Sequence, residues 1–211
     1  MSVSQWMQVT VRTVEPERDL LRAWRMMMVY KIRHLPVVTS DGKLAGILSD
    51  RDIKQHALPP EVPGSLLARQ EHLEAIKVGA IMVRDVVTVA PGASMAFAAH
   101  LMRHHRIDCL PVLDEGRLVG IVTSSDLLDY FPRSLGSEPG GSLVSVTIPA
   151  DYGALHDALG RIRGVRSHPP TLLLRPGRSE GQIELTFAVA PRQTEQARLA
   201  MGASAVLEAL P

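Results

Sequence analysis

Two carboxylates occupy matching places in the chain. Asp52 lies three residues after Ser49, and Asp126 lies three residues after Thr123. Each hydroxyl residue closes an apolar run, Gly46-Ile47-Leu48 in one case and Gly120-Ile121-Val122 in the other. A hydroxyl at a strand end with a carboxylate three positions on has the makings of a helix cap, and the same two groups can face a ligand. Cations stand close by. Arg51 sits between Ser49 and Asp52, and the pair Arg33-His34 precedes Leu35-Pro36. An arginine suits two-point contact with an anion. The corresponding positions of the second motif are Ser125 and Asp108-Cys109, so the two motifs differ in charge.

Other reactive side chains form weaker patterns. His100, His104 and His105 place two imidazoles one helical turn apart, but no Cys-x-x-Cys or acidic partner accompanies them at ligand spacing, so no metal site is expected. Met26-Met27-Met28 reads as core filler. Cys109 beside Asp108 has no base arranged to activate it. No Ser/His/Asp order, P-loop or Gly-x-Gly-x-x-Gly announces an enzyme.

These motifs belong to a long internal repeat. Val3-Ser4-Gln5-Trp6-Met7 and Val78-Gly79-Ala80-Ile81-Met82 open the two copies, 75 residues apart. The same offset aligns Thr13 with Thr88, Pro16 with Pro91, Met27 with Met102, Ile32 with Ile107 and Pro36 with Pro111. After the turns Ser40-Asp41-Gly42 and Asp114-Glu115-Gly116 the offset becomes 74, a single deletion in a loop, where deletions are tolerated. Such a register marks a duplicated unit.

Each copy predicts the same elements. An extended segment (Val9 to Val14; Val86 to Val89) leads through a Pro turn to an amphipathic helix. The first helix places Leu20, Leu21, Trp24, Met27 and Met28 at helical spacing; the second starts at the N-cap Ser94. Leu35-Pro36-Val37-Val38 and Leu110-Pro111-Val112-Leu113 are strands, a Gly turn leads to a second strand, and a short helix closes the unit (Ile53 to Ala57; Leu127 to Phe131). The boundaries expected are residues 1–57 for the first unit, 58–77 for a breaker-rich linker with a helix capped by Ser65, and 78–131 for the second unit. Residues 132–141 form a Gly-rich linker, and 142–211 a further domain. That last stretch reads strand, helix, strand, strand, helix, strand, which suggests a ferredoxin-like sheet. The fold class is therefore α+β, with two β-α-β-β-α units in a pseudo-two-fold pair and a βαββαβ domain.

Composition narrows the function. The 211 residues carry a formal charge of +1 with no Lys/Arg block, so no nucleic-acid partner is expected. The lone Cys109 excludes an internal disulfide framework and fits a reducing compartment. No apolar run approaches the roughly 20 residues that cross a bilayer, and the opening residues do not read as a signal peptide. A cytoplasmic protein without a membrane partner is expected.

The duplicated Ile-x-x-Leu-Pro-Val and Gly-h-h-[Ser/Thr]-x-x-Asp patterns (h apolar) resemble a tandem pair of CBS domains, the Bateman module, over residues 1–131. The tail, with Asp151-Tyr152-Gly153-Ala154-Leu155 after its first strand, resembles an ACT domain. The combination is similar to the AcuB-type acetoin-utilisation proteins. The resemblance implies a non-catalytic sensor that takes an adenine nucleotide or S-adenosylmethionine as regulatory ligand and requires no cofactor. Asp52 and Asp126 would hold ribose, assisted by Ser49 and Thr123, while Ile32, Ile107, Thr13 and Thr88 would face the adenine. Arg33, His34 and Arg51 would meet phosphate, making the first unit the stronger nucleotide site. Asp151 and Gly153 would belong to an ACT-type ligand loop. A homodimer is implied, with an enzyme of carbon metabolism as a possible partner. Two alternatives stay open: an interaction module with an empty cleft, and an amino-acid sensor acting through the ACT-like domain.

Overall fold

The computed structural model describes residues 2–56, 66–134, 136, 140–165, 170–202 and 205–209. The chain divides into two compact units, Met1–Leu127 and Leu128–Pro211. Among the described residues no helix is long and apolar enough to cross a membrane.

In the first unit the two copies build the same elements. Copy 1 holds α1 (Leu20–Tyr30), the hairpin β1 (His34–Val38) and β2 (Leu44–Ser49), and α2 (Asp50–His56). After α3 (Leu66–Ala75), copy 2 supplies α4 (Val78–Ile81), α5 (Met95–His105), β3 (Cys109–Asp114), β4 (Arg117–Thr123) and α6 (Ser124–Ser134). The expected cap Ser65 lies outside the described residues. Both long helices start on a side-chain cap: Asp19 accepts from the Arg22 amide at 2.8 Å, and Ser94 from the Phe97 amide at 3.1 Å. Both end on a left-handed residue that is not glycine, Lys31 at φ 54° and Arg106 at φ 56°. The next amides, Ile32 and Ile107, then donate back to the Met27 and Met102 carbonyls at 3.0 Å in each case.

The apolar spacing of α1 does what it predicts. Leu20, Ala23 and Met27 join Leu35, Val37, Leu48 and Ile53 in one core, with Trp24 packed at its edge. Met28 is 62 % exposed and lies outside that core. Helix α6 runs beyond the expected end at Phe131, through Pro132, to Ser134.

The extended segments depart from expectation. Val9 to Val14 and Val86 to Val89 do not form ladders; each makes single bridges near its ends. Gln8 bridges Ile121 of the other copy, while Val14 bridges Val37 of its own. The second copy mirrors this, Val83 bridging Ile47 and Val89 bridging Val112. A segment that crosses from one hairpin to the other has no room for a ladder with either. The openings of the copies are exchanged in the same way. The Val3 and Ser4 amides donate to the Ala93 and Pro91 carbonyls at 2.8 and 2.9 Å, and the Val78 and Gly79 amides to the Arg18 and Pro16 carbonyls, both at 2.8 Å. Val78 and Met82 accordingly belong to the core of copy 1.

Two glycines of the repeat follow from this crossing. A Cβ on Gly46 would come within 2.7 Å of both the Met82 sulfur and the Val83 carbonyl oxygen, and a Cβ on Gly120 would meet Met7. The strand must be bare where the exchanged segment lies across it.

The second unit contains β5 (Ser142–Pro149), α7 (Tyr152–Val165), β6 (Leu172–Pro176), β7 (Gln182–Val189), α8 (Thr194–Met201) and β8 (Val206–Ala209). Its strands form one antiparallel sheet in the order β6-β7-β5-β8. Alternate strand residues, Val144, Val146, Leu185, Phe187 and Val189, share a core with Ala158 and Ile162 of α7 and Ala197 and Met201 of α8. The period of two in the strands and of 3.6 in the helices thus meet on one face of the sheet.

Candidate functional site

Two clefts of the first unit are lined by both copies. The first, of about 310 Å³, is lined by Ile47, Ser49, Asp50, Arg51 and Asp52 of copy 1, by Val83, Asp85, Val86, Val87, Arg106, Ile107, Asp108 and Cys109 of copy 2, and by Arg33 and His34. The second, of about 400 Å³, is lined by Ile121, Thr123, Ser124, Ser125 and Asp126 of copy 2, by Gln8, Thr10, Val11, Arg12, Lys31, Ile32, Arg33 and His34 of copy 1, and by Asp108. Both volumes lie at the small end of the ligand-site range. Segment exchange is what makes the clefts composite: the crossing strand of one copy forms a wall against the strand end of the other.

At the floor of each cleft the two motif residues are bonded to each other. Asp52 Oδ2 accepts from the Ser49 amide and from the Ser49 hydroxyl, both at 2.7 Å. The Asp52 amide donates to Ser49 Oγ at 3.3 Å. Asp126 and Thr123 repeat the arrangement at 2.7, 2.7 and 3.4 Å. The capping role is thus real, and it uses a single carboxylate oxygen. That fixes each carboxylate at the start of its helix and leaves Oδ1 to serve another group. Here the copies differ. Asp126 Oδ1 accepts from the Gln8 side-chain amide at 3.3 Å. Val83 occupies the place of Gln8 in the first cleft and cannot donate.

Arg33 and His34 line both clefts, and Arg51 lines only the first. Arg51 and Arg33 make no ion pair among the described residues, whereas Asp50 is paired with Lys54 at 2.8 Å. The Lys54 hydrogen bond holds the Asp50 carboxyl below its usual range. Burial is the largest influence on His34 and lowers its pKa; Asp108, Asp50 and Asp52 oppose this, and Arg33 adds to it. Burial, with Asp108 beside it, pushes the Cys109 thiol up to about 12, so the sulfur stays protonated and is a poor nucleophile.

Ile107 lines the first cleft and Ile32 the second, each opposite the other copy's carboxylate. Thr13 is exposed and Thr88 half-buried, and neither is among the lining residues. Their places are taken by Thr10, Val11 and Arg12 and by Asp85, Val86 and Val87. Reading the sequence passed over these residues, and also Lys31 and Arg106. The signal for that last pair lies in the repeat: both are cations at the position after a helix where glycine is the usual residue. Copy 1 supplies cations to both clefts: Arg33 and Arg51 line that of Asp52, and Arg12, Lys31 and Arg33 line that of Asp126.

In the second unit Asp151 Oδ1 accepts from the Ala154 amide at 2.8 Å and so starts α7, with Gly153 exposed in the first turn. Along α5 the His100 ring stacks on His104, and His104 meets His105 edge-on. Among the described residues no group of three or more His, Cys, Asp or Glu is placed to hold a metal ion.

A duplicated unit with exchanged openings, and a hydroxyl-carboxylate pair in each of two clefts, defines a tandem module with clefts between its copies. A family profile for the CBS domain matches residues 3–58 and 78–133, and the chain belongs to the CBS-domain family. A CBS domain-containing protein of Dictyostelium discoideum is 38% identical over 138 residues, covering 65% of this chain and 95% of that protein. The homoserine O-acetyltransferase of Methanococcoides burtonii is 34% identical over 127 residues, covering 60% of this chain but 23% of the enzyme. Among solved structures, a putative acetoin utilization protein (AcuB) from Vibrio cholerae matches with a TM-score of 0.54 and 34% identity, over 66% of this chain and 98% of that one. The CBS domain pair of protein MJ0100, in complex with 5′-methylthioadenosine and S-adenosyl-L-methionine, matches with a TM-score of 0.52 and 28% identity, over 63% of this chain and 97% of that one.

Proposed function

We propose that this chain is a non-catalytic sensor that binds adenosine-containing ligands in the clefts of its CBS pair. The observation that carries the reading is the matched carboxylate of each cleft. Asp52 and Asp126 line the clefts and are held through Oδ2; Oδ1 of Asp126 has only the long Gln8 bond, and a carboxylate so placed can accept ribose hydroxyls. Ser49 and Thr123 lie beside them at the cleft floor. The ligands held by the MJ0100 pair are both adenosine derivatives, which supports the same class here. The enzyme relative matches over a minor part of its length, which supports a regulatory role for the shared region.

On this reading the second unit is a ferredoxin-like, ACT-type domain, with Asp151 and Gly153 at its ligand loop, that receives the signal or passes it to a partner. The same reading includes a cytoplasmic homodimer and an enzyme of carbon metabolism as a possible partner. Ligand binding would shift the arrangement of the copies by no more than the ligand's differential affinity for the two states.

A thermal-shift series tests this, with AMP, ADP, ATP, 5′-methylthioadenosine and S-adenosylmethionine against the wild type, Asp52→Ala and Asp126→Ala. A ligand at about 100 times its dissociation constant adds roughly 2.7 kcal/mol of stability. The expected result is a stabilising shift with at least one adenosine ligand, reduced in one or both variants. No shift with any of them contradicts the reading.

A further inference from the structure

The pseudo-two-fold relation allows the two clefts to be compared position by position. Ile107 and Ile32 correspond, as do Arg106 and Lys31, Ser49 and Thr123, and Asp52 and Asp126. Those pairs preserve shape and the ribose-facing groups. Two positions of the crossing segments differ in charge: where the second cleft has Thr10 and Arg12, the first has Asp85 and Val87. At the helix start the first has Arg51 where the second has Ser125, and Arg33 and Asp108 line both.

The linings differ in charge. The second cleft has three cations, Arg12, Lys31 and Arg33, against two carboxylates, Asp108 and Asp126. The first has three arginines against Asp52, Asp85, Asp108 and an Asp50 already paired with Lys54. The cations of both clefts make no ion pair among the described residues, and the Arg12 guanidinium rests 4.2 Å over the Tyr30 ring, which orients it without neutralising it. A desolvated phosphate requires such donors, and a like-charged wall opposes it. The first cleft supplies instead an apolar wall, Val83, Val86 and Val87, beside Asp85. That wall accepts a thioether, and the carboxylate attracts a sulfonium.

We infer that the two clefts divide adenosine ligands by the charge of the 5′ substituent. The Asp126 cleft takes 5′-phosphorylated nucleotides, and the Asp52 cleft takes adenosine carrying a neutral or cationic sulfur substituent. The chain then reads two different metabolite signals at once. This inference rests on the reading that the clefts hold adenosine ligands at all.

The test is calorimetric titration of the full chain with AMP and, separately, with 5′-methylthioadenosine. Wild type is compared with Arg12→Val, Asp126→Ala and Asp52→Ala. Arg12→Val places in the second cleft the residue that the first cleft carries at that position, and Arg12 is exposed, so folding is preserved. The expected result is that Arg12→Val weakens AMP about tenfold or more, the loss of one charge-assisted contact, and leaves 5′-methylthioadenosine within about twofold. Asp126→Ala should likewise act on AMP alone, and Asp52→Ala on 5′-methylthioadenosine alone. If both ligands respond to the same cleft's variants, or AMP is insensitive to Arg12→Val, the division is overturned while the adenosine reading stands. If neither ligand binds the wild type, both fall.

Discussion

The two clefts are built on one backbone plan and differ in what their walls carry. In the first, Asp85 and Val87 line the space; in the second, Thr10 and Arg12 line it, while Arg33 and Asp108 line both. The parts that stay equal are those with a structural task. Gly46 and Gly120 clear the crossing strand, and the Ser49-Asp52 and Thr123-Asp126 pairs each start a helix through the same three hydrogen bonds. Duplication holds fixed the residues that a backbone needs and frees the wall positions to change ligand chemistry. Because each wall comes from the other copy, a change in one copy alters the opposite carboxylate's cleft.

The largest effect expected from breaking this plan is on stability. Gly46→Ala sets a methyl against the Val83 carbonyl, which is backbone and cannot yield freely, whereas Gly120→Ala presses chiefly on the flexible Met7 side chain. Overpacking of this kind costs about 1–3 kcal/mol, and Gly46→Ala should lie at the upper end. Denaturant unfolding of the two variants measures the difference, and equal losses would show that the exchanged segments do not differ in rigidity.

A pH dependence comes next, at a residue that the two clefts share. Burial favours neutral His34, so its contribution to stability is complete above the ordinary histidine value of about 6.5 and is lost as pH falls through the lower folded value. Asp108, Asp50 and Asp52 moderate that loss, and Arg33 strengthens it. The melting temperature of wild type should therefore fall more steeply below that pH than that of His34→Gln. Parallel curves would remove His34 from the account.

Much of this was legible before any coordinates. The repeat register, the hydroxyl-carboxylate pairs, Ser94 as a cap and the strand–helix order of the second unit are local patterns, and local patterns survive in sequence. The exchange of openings did not show, because Val9 to Val14 reads as a strand whichever hairpin it joins. The bridges of Gln8 to Ile121 and of Val14 to Val37 are tertiary facts. For the same reason Thr13 and Thr88, which the resemblance implied, are not among the lining residues, while Arg12 and Lys31, which are unremarkable in sequence, line one cleft. The composition of each cleft wall followed from that exchange.

The smallest expected effect concerns Gln8. Its amide occupies Asp126 Oδ1 at 3.3 Å, a long bond that a ribose hydroxyl must replace. Gln8→Val copies the first cleft's Val83 and removes that competitor. A net hydrogen bond of about 0.5–1.5 kcal/mol corresponds to roughly two- to tenfold tighter AMP binding in calorimetry. Weaker binding would mean that Gln8 assists the ligand instead.

The central claim is tested most directly by a crystal structure of the chain grown with AMP and 5′-methylthioadenosine together. The account predicts ribose on both Asp52 and Asp126, with phosphate density beside Arg12 and Lys31 and the thioether against Val86 and Val87. Phosphate in the Asp52 cleft, or both ligands absent from the two clefts, would contradict it.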